Sequence, residues 1–77
     1  QNQAEVDFVV NQGQAVVPYE AKYQSLKQPT LSRSFRSFLE QYQPQEAYLI
    51  NLSLHADVMV EQTQVKVRPF WALSNEW

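Results

Sequence analysis

The chain has 77 residues, and this length predicts a single domain with a thin hydrophobic core. Hydrophobic residues make up 44% of it, which excludes a disordered chain, and the lack of cysteine excludes disulfides and thiolate metal sites. The net charge of −2 argues against a nucleic-acid binder held by bulk charge alone. Because no apolar run could span a membrane and no secretory leader opens the sequence, we expect a cytoplasmic protein.

Two alternating segments at the start of the chain predict a β-hairpin. Residues 5–10 and 15–22 each place apolar side chains on one face, and Gly13 between them indicates the turn. A turn at residues 11–14 predicts these pairs: Val10 with Ala15, Phe8 with Val17, Val6 with Tyr19, Asp7 with Pro18, and Glu5 with Glu20. Because Pro18 lacks a backbone donor, we expect a bend or a local opening of the strand there.

One helix and three further strands are predicted after this hairpin. Thr30 or Ser32 is a suitable N-cap, and Pro44 ends the helix. Its core-facing stripe consists of Leu31, Phe35, Phe38, Leu39 and Tyr42. Residues 46–53 predict a buried strand after a crossover helix, and residues 58–60 and 64–68 predict a C-terminal hairpin around a turn at 61–63.

The last apolar cluster, residues 69–73, is expected to pack back on the sheet. We expect Trp71 to take part in this packing and Trp77 to be exposed. The element order β-β-α-β-β-β then predicts an α+β or α/β layer with one main helix.

Acidic and basic side chains share the polar face of the predicted first hairpin. In the register above, Asp7 and Glu20 are diagonal neighbours, Glu5 lies opposite Glu20, and Lys22 projects from the same face. A divalent cation such as Mg²⁺ would relieve the repulsion of the carboxylates, polarise a phosphate oxygen and orient a water molecule that Lys22 steadies. An ordinary solvated hairpin face explains the same pattern, and the spacing alone favours this second interpretation.

A stretch without acidic residues follows Glu20 and ends at Glu40. It contains four basic residues, Lys22, Lys27, Arg33 and Arg36. This local excess of positive charge is typical of a patch that faces phosphate, or of a solvated helix face with long side chains. Charge alone favours the solvated face.

Residues 5–10 and 17–22 together resemble the Asp…Glu-x-Lys signature of the PD-(D/E)XK nuclease superfamily, with Val6 where the signature has proline. Residues 33–40, 47–52 and 69–73 are similar to a narrower group, the C-terminal domain of prokaryotic AAA-type ATPases. The resemblance extends from Glu5 to about Leu73. It implies a restriction-endonuclease-like β-β-α-β core with a mixed sheet and a C-terminal hairpin.

The resemblance also implies roles for individual residues. Asp7, Glu20 and the carbonyl of Ala21 match the positions that hold Mg²⁺, and Lys22 matches the lysine that positions the attacking water. The implied activity is Mg²⁺-dependent phosphodiester hydrolysis, with DNA or another nucleic acid as the partner. Further candidates are Lys27, Arg33 and Arg36 for phosphate contacts, and Glu5 and Gln24 as supporting groups around the site.

Relatives in this superfamily carry a leading helix that residues 1–77 lack. We therefore expect a partial domain from the C-terminal end of a longer protein, with an ATPase domain upstream. The alternative is a catalytically silent module that binds a partner or forms a homo-oligomer beside that ATPase, because fold resemblance does not establish activity.

Overall fold

The computed structural model describes residues 8–13 and 15–75 of the chain. The strands in this part are β1 (Phe8–Gln12), β2 (Ala15–Ala21), β3 (Glu46–Asn51), β4 (Ala56–Val60) and β5 (Thr63–Pro69). The helix α1 (Arg33–Tyr42) lies between β2 and β3, and a 3-10 helix (Phe70–Asn75) follows β5. This order confirms the predicted α+β class with one main helix and a C-terminal hairpin.

The strands form one mixed sheet in the order β1-β2-β3-β5-β4. The two hairpins, β1 with β2 and β4 with β5, are antiparallel and form the two sides of the sheet. Between them, β2, β3 and β5 run parallel to one another. A parallel pair needs a crossover connection, and α1 supplies it between β2 and β3.

The helix begins and ends where its local sequence predicts. Ser32 is the N-cap, and its side-chain oxygen accepts a hydrogen bond from the backbone N–H of Phe35 at 3.1 Å. At the other end, Gln43 adopts a left-handed conformation and its N–H donates to the carbonyl of Leu39 at 2.9 Å. Pro44 follows directly and cannot continue the helix.

Apolar side chains cover both faces of the central strands. On the helix side, Phe35 and Leu39 pack with a cluster that includes Leu49 and Val67. The opposite face has its own cluster, made of Val17, Tyr19, Tyr48 and Ile50. There the rings of Tyr19 and Tyr48 stack at a centroid distance of 4.7 Å. Burial on both faces is typical of parallel strands and explains why β3 reads as a nearly continuous apolar run.

The register of the first hairpin differs from the prediction by two residues. Val10 pairs with Val17, Phe8 pairs with Tyr19, and the last pair before the turn is Gln12 with Ala15. The predicted pairs Val10 with Ala15, Phe8 with Val17 and Asp7 with Pro18 are therefore wrong. A shift of two residues keeps every side chain on its face, so the apolar pattern cannot distinguish the two registers.

The geometry of the turn selects the observed register. Only Gly13 and Gln14 separate Gln12 from Ala15, and Gly13 has a φ of +67°. Two-residue loops with positive φ match the twist of antiparallel strands, and glycine adopts this conformation without steric cost.

Two further expectations on the strands and the C-terminus are wrong. Pro18 lies inside a continuous β2, is buried, and pairs with Val9 without a break in the strand. The pairing of β2 with β3 begins only at Tyr19, so Pro18 has no partner in β3. The missing N–H of Pro18 therefore leaves no carbonyl of β3 without a donor. Trp71 is 66% exposed, because Ala72 and Leu73 make the packing contacts of the 3-10 helix. Trp77 lies outside the described residues.

Across the part of the chain that the structure describes, no helix combines the length and the apolar character needed to cross a bilayer.

The turn gives a first testable prediction. We expect Gly13→Ala to lower the free energy of unfolding by about 1–2 kcal/mol, because an L-residue with a side chain is strained at positive φ. Gly13→Asn should cost less, since asparagine tolerates the left-handed conformation. Urea denaturation of both variants measures the difference. Nothing lies within 4 Å of a Cβ at this position, so an alanine variant as stable as the wild type would contradict the turn geometry.

Candidate functional site

The carboxyl ends of three parallel strands meet at one edge of the sheet. β2 ends at Ala21, β3 at Asn51 and β5 at Pro69, and β3 lies between the other two. Helix α1 begins at the same edge, because only residues 43–45 connect its last turn to the amino end of β3. We call this region, formed by residues 20–24, 51–54 and 69–71 and the start of α1, the carboxyl edge. Ligands of α/β sheets bind outside the carboxyl ends of the strands.

Glu20 is the buried acid of the carboxyl edge. It is the second-last residue of β2 and only 3% exposed. It pairs with Leu49, which belongs to the apolar cluster under α1, so Glu20 lies on the face covered by the helix. The expectation of a solvated face around Glu20 is therefore wrong. Carboxylates are costly to bury and are retained where they pair with cations, accept hydrogen bonds or coordinate metals.

The two residues after Glu20 are held beside β3. Ala21 pairs with Ile50 and packs with the cluster on the face opposite the helix. The N–H of Lys22 donates to the carbonyl of Ile50 at 2.7 Å, so the parallel pairing continues for one residue beyond β2. Strand alternation then places Lys22 on the face that carries Glu20, and its side chain is half-buried.

The remaining predicted residues lie around these three or outside the described chain. Gln24 is exposed, and its carbonyl accepts a hydrogen bond from the N–H of Leu52 at 3.1 Å. Lys27 is exposed in the loop before α1, and Arg33 and Arg36 are exposed one turn apart on the helix. Asp7 and Glu5 lie outside the described residues, so the structure neither brings them to Glu20 nor separates them from it.

The lysine and arginine side chains of the described residues form two groups. On the face opposite the helix, Lys66 pairs with Glu46 at 3.6 Å and Arg68 pairs with Asp57 at 2.8 Å. The cations of the acid-free stretch are Lys22, Lys27, Arg33 and Arg36, and none of them pairs with a carboxylate within the described residues. Within the described residues, the second group is therefore not neutralised by a carboxylate.

Metal-ligating side chains do not cluster in the described part of the chain. Within residues 8–13 and 15–75, no three His, Cys, Asp or Glu side chains are close enough together to hold a metal ion. Glu20 and the carbonyl of Ala21 are the oxygen groups that the structure places at the predicted position.

The side chain of Asn51 stabilises the carboxyl edge through internal hydrogen bonds. Its side-chain amide donates to the carbonyls of Leu54 and Arg68 at 3.1 and 3.2 Å. Its side-chain oxygen accepts from the N–H groups of Ser53 and Leu54 at 2.9 and 2.7 Å. All of these contacts are internal, so Asn51 is a structural residue that joins the end of β3 to the end of β5 and to the following turn.

The sequence interpretation missed three exposed aromatic residues at this edge, Tyr23, Phe70 and Trp71. The signal that could have found them is their position, because each follows a predicted strand within three residues. The position of these residues becomes informative only when β2 and β5 are known to be parallel and to end at the same edge. The order and pairing of the strands supply this information.

Comparison with known proteins identifies the family. The sequence model of DUF4143, described as a domain of unknown function, matches residues 1–73, so the chain belongs to this family. No curated protein and no solved structure is significantly similar to the chain.

The Asn51 network gives a second prediction. We expect Asn51→Ala to lower the free energy of unfolding by about 2–4 kcal/mol, because it leaves one buried and three partly buried backbone groups without this partner. Ser53→Ala is the matched control, since Ser53 is exposed in the same turn. Urea denaturation measures both. Equal stability of the two variants would show that the amide does not hold the edge together.

Proposed function

We propose that this DUF4143 domain is a PD-(D/E)XK-like nuclease domain that hydrolyses phosphodiester bonds in nucleic acid with the help of Mg²⁺. The observation that carries the proposal is the buried carboxylate of Glu20, two residues before the half-buried Lys22, at the carboxyl end of a central parallel strand. The superfamily signature has this spacing of acid and lysine.

The donor set fits a hard divalent cation. In the proposal, Asp7 and Glu20 supply carboxylate oxygens and Ala21 supplies its carbonyl, and Mg²⁺ prefers oxygen ligands of this kind. Phe8, which follows Asp7 in the chain, pairs with Tyr19, which precedes Glu20, and this pairing supports the assignment. When bound, the metal polarises a phosphate oxygen and lowers the barrier to attack by water.

The protein's own residues have separate tasks in this proposal. The ammonium group of Lys22 donates hydrogen bonds that position the attacking water and stabilise the charge that develops on the phosphate. Water adds to phosphorus and gives up a proton to solvent, the bond from phosphorus to the leaving sugar oxygen breaks, and that oxygen takes up a proton from solvent. Lys27, Arg33 and Arg36 hold neighbouring phosphates by charge, while Glu5 and Gln24 support the site from its margin.

The surrounding edge supports an anionic substrate. The acid-free stretch places four cations near Glu20, and α1 begins at the same edge with its positive dipole end. Burial of Glu20 under the helix lowers the local dielectric constant and strengthens its interaction with a bound cation. The same burial fixes the orientation of the carboxylate before a metal binds.

A cleavage assay tests the activity. We expect the protein to cleave a labelled oligonucleotide in the presence of Mg²⁺, and Glu20→Gln or Lys22→Met to lower the rate by on the order of 100-fold or more. Glu40→Gln is the matched control, because Glu40 is an exposed acid on α1. Circular dichroism checks that each variant is folded. Cleavage by Glu20→Gln at the wild-type rate would rule out the assigned role.

A specific observation favours an alternative function, a catalytically silent interaction or oligomerisation module of an AAA-type ATPase. At the opposite end of α1, a groove of about 620 Å³ lies between the helix and the start of β2. It is lined by Ala15, Val16, Phe38, Tyr42, Gln43, Pro44 and Gln45. Val16 and Tyr42 are substantially exposed there, although Tyr42 was expected in the core.

Metal titration separates the two functions. If Glu20 helps to hold Mg²⁺, the ion binds the folded state and raises the melting temperature. At a Mg²⁺ concentration of about 100 times Kd, the gain is about 2.7 kcal/mol. We expect Glu20→Gln to abolish the rise and Glu40→Gln to keep it. A wild-type protein whose melting temperature does not respond to Mg²⁺ or Mn²⁺ favours the silent module.

A further inference from the structure

Three large aromatic side chains are exposed at the carboxyl edge. Tyr23 is 89% exposed, Trp71 is 66% exposed and Phe70 is 57% exposed. By contrast, Tyr19 and Tyr48 are almost completely buried in the sheet, so the fold has room to bury aromatic rings. Exposed apolar surface of this kind marks interaction sites when several such side chains lie together.

The topology brings these three residues to the same edge. Tyr23 follows β2, whereas Phe70 and Trp71 follow β5, and both strands flank β3 in parallel orientation. Neighbouring strands lie about 4.8 Å apart, so the ends of β2 and β5 are about 10 Å apart across the sheet. The three residues therefore lie within one short stretch of the sheet edge.

The backbone under each ring is fixed. Tyr23 lies between two hydrogen bonds to β3, from the N–H of Lys22 to Ile50 at 2.7 Å and from the N–H of Leu52 to Gln24 at 3.1 Å. Phe70 and Trp71 begin a 3-10 helix whose next residue, Ala72, is buried. Aromatic side chains on a fixed backbone lose little further entropy when a ligand stacks on them.

The segment that contains Tyr23 carries an excess of positive charge. Lys22 and Lys27 lie on either side of Tyr23 in the sequence, and the segment between Glu20 and Glu40 contains no acid. Single-stranded nucleic acids are bound by such combinations, in which bases stack on aromatic rings and phosphates meet Lys and Arg. A duplex offers its phosphates but not the faces of its bases, so it cannot use the rings in this way.

We propose that the carboxyl edge binds single-stranded nucleic acid, with bases stacked on Tyr23, Phe70 and Trp71 and phosphates held by Lys22 and Lys27. The inference deepens the proposed nuclease function, on which it rests for the identity of the ligand, by naming an unpaired strand as the substrate class. The stacking itself needs no metal.

Fluorescence anisotropy of a labelled oligothymidylate, measured with EDTA and the full chain, tests the proposal. We expect binding that weakens as salt rises, and about 5- to 150-fold weaker binding by Trp71→Ala or Tyr23→Ala. Trp71→Phe should recover most of the affinity, because phenylalanine keeps a ring to stack on. Tyr42→Ala is the matched control, since Tyr42 is 60% exposed but lies at the far end of α1, and it should bind like the wild type.

Three results would overturn the inference. The first is equal competition by duplex and by single strand of the same length. The second is an equal affinity of Trp71→Ala and Tyr42→Ala for the oligonucleotide. The third is self-association of the chain that Trp71→Ala abolishes, which would assign the rings to a second copy of the protein.

The binding experiment and the nuclease assay can fail independently of each other. Glu20→Gln should bind the oligonucleotide normally in EDTA while failing to cleave it in Mg²⁺. If Trp71→Ala cleaves and binds like the wild type, the stacking surface is rejected and the nuclease assignment stands. If the wild type binds the single strand with the expected loss in Trp71→Ala but never cleaves it, the nuclease assignment fails and the binding surface stands.

Discussion

Parallel pairing of β2, β3 and β5 is the constraint on which the other features of this domain depend. Parallel neighbours need a crossover, and α1 supplies it while covering one face of the sheet. The same arrangement directs the carboxyl ends of all three strands to one edge. The buried acid, the cations and the exposed aromatic rings meet at this edge for that reason, although they are far apart in the sequence.

Burial of both sheet faces makes a charged side chain costly in the central strands, yet Glu20 is buried there. Glu20 lies next to the helix-side core in a strand whose other central residues are buried. A carboxylate in this position has a substantial desolvation cost, which an interaction with a cation or with hydrogen-bond donors must offset. In the proposed function a metal ion contributes to that compensation, and the nearby end of the strand gives the ion access from solvent.

Internal hydrogen bonds support the carboxyl edge of this 77-residue chain. Asn51 joins the end of β3 to β5, and the hydrogen bonds around Tyr23 hold the tail of β2 against β3. These contacts are internal or involve the backbone, so they leave the side chains of Lys22, Tyr23 and Trp71 facing outward or half-exposed. The core and the surface therefore use different residues of the same segments.

Local sequence determined the elements themselves. Ser32 as N-cap, Pro44 after the helix and the alternation in residues 64–68 depend on interactions within a few residues, and the structure has the N-cap at Ser32 and a strand over Thr63–Pro69. The face of each β2 side chain also follows from alternation, because the period of a strand is two. The same period places Glu20 and Lys22 of the Glu-x-Lys motif on one face, so this part of the candidate site could be predicted from the sequence.

Tertiary structure alone decided the burial of Glu20 and the exposure of Trp71, whereas the hairpin register depended on the backbone conformation of the turn at Gly13. A two-residue shift preserves the apolar pattern, so only the turn at Gly13 could select the register. Glu20 is buried because α1 covers its face, and Trp71 is exposed because Ala72 and Leu73 occupy the available contacts. The burial of Glu20 and the exposure of Trp71 both depend on what an element packs against, which is set by residues distant in the sequence.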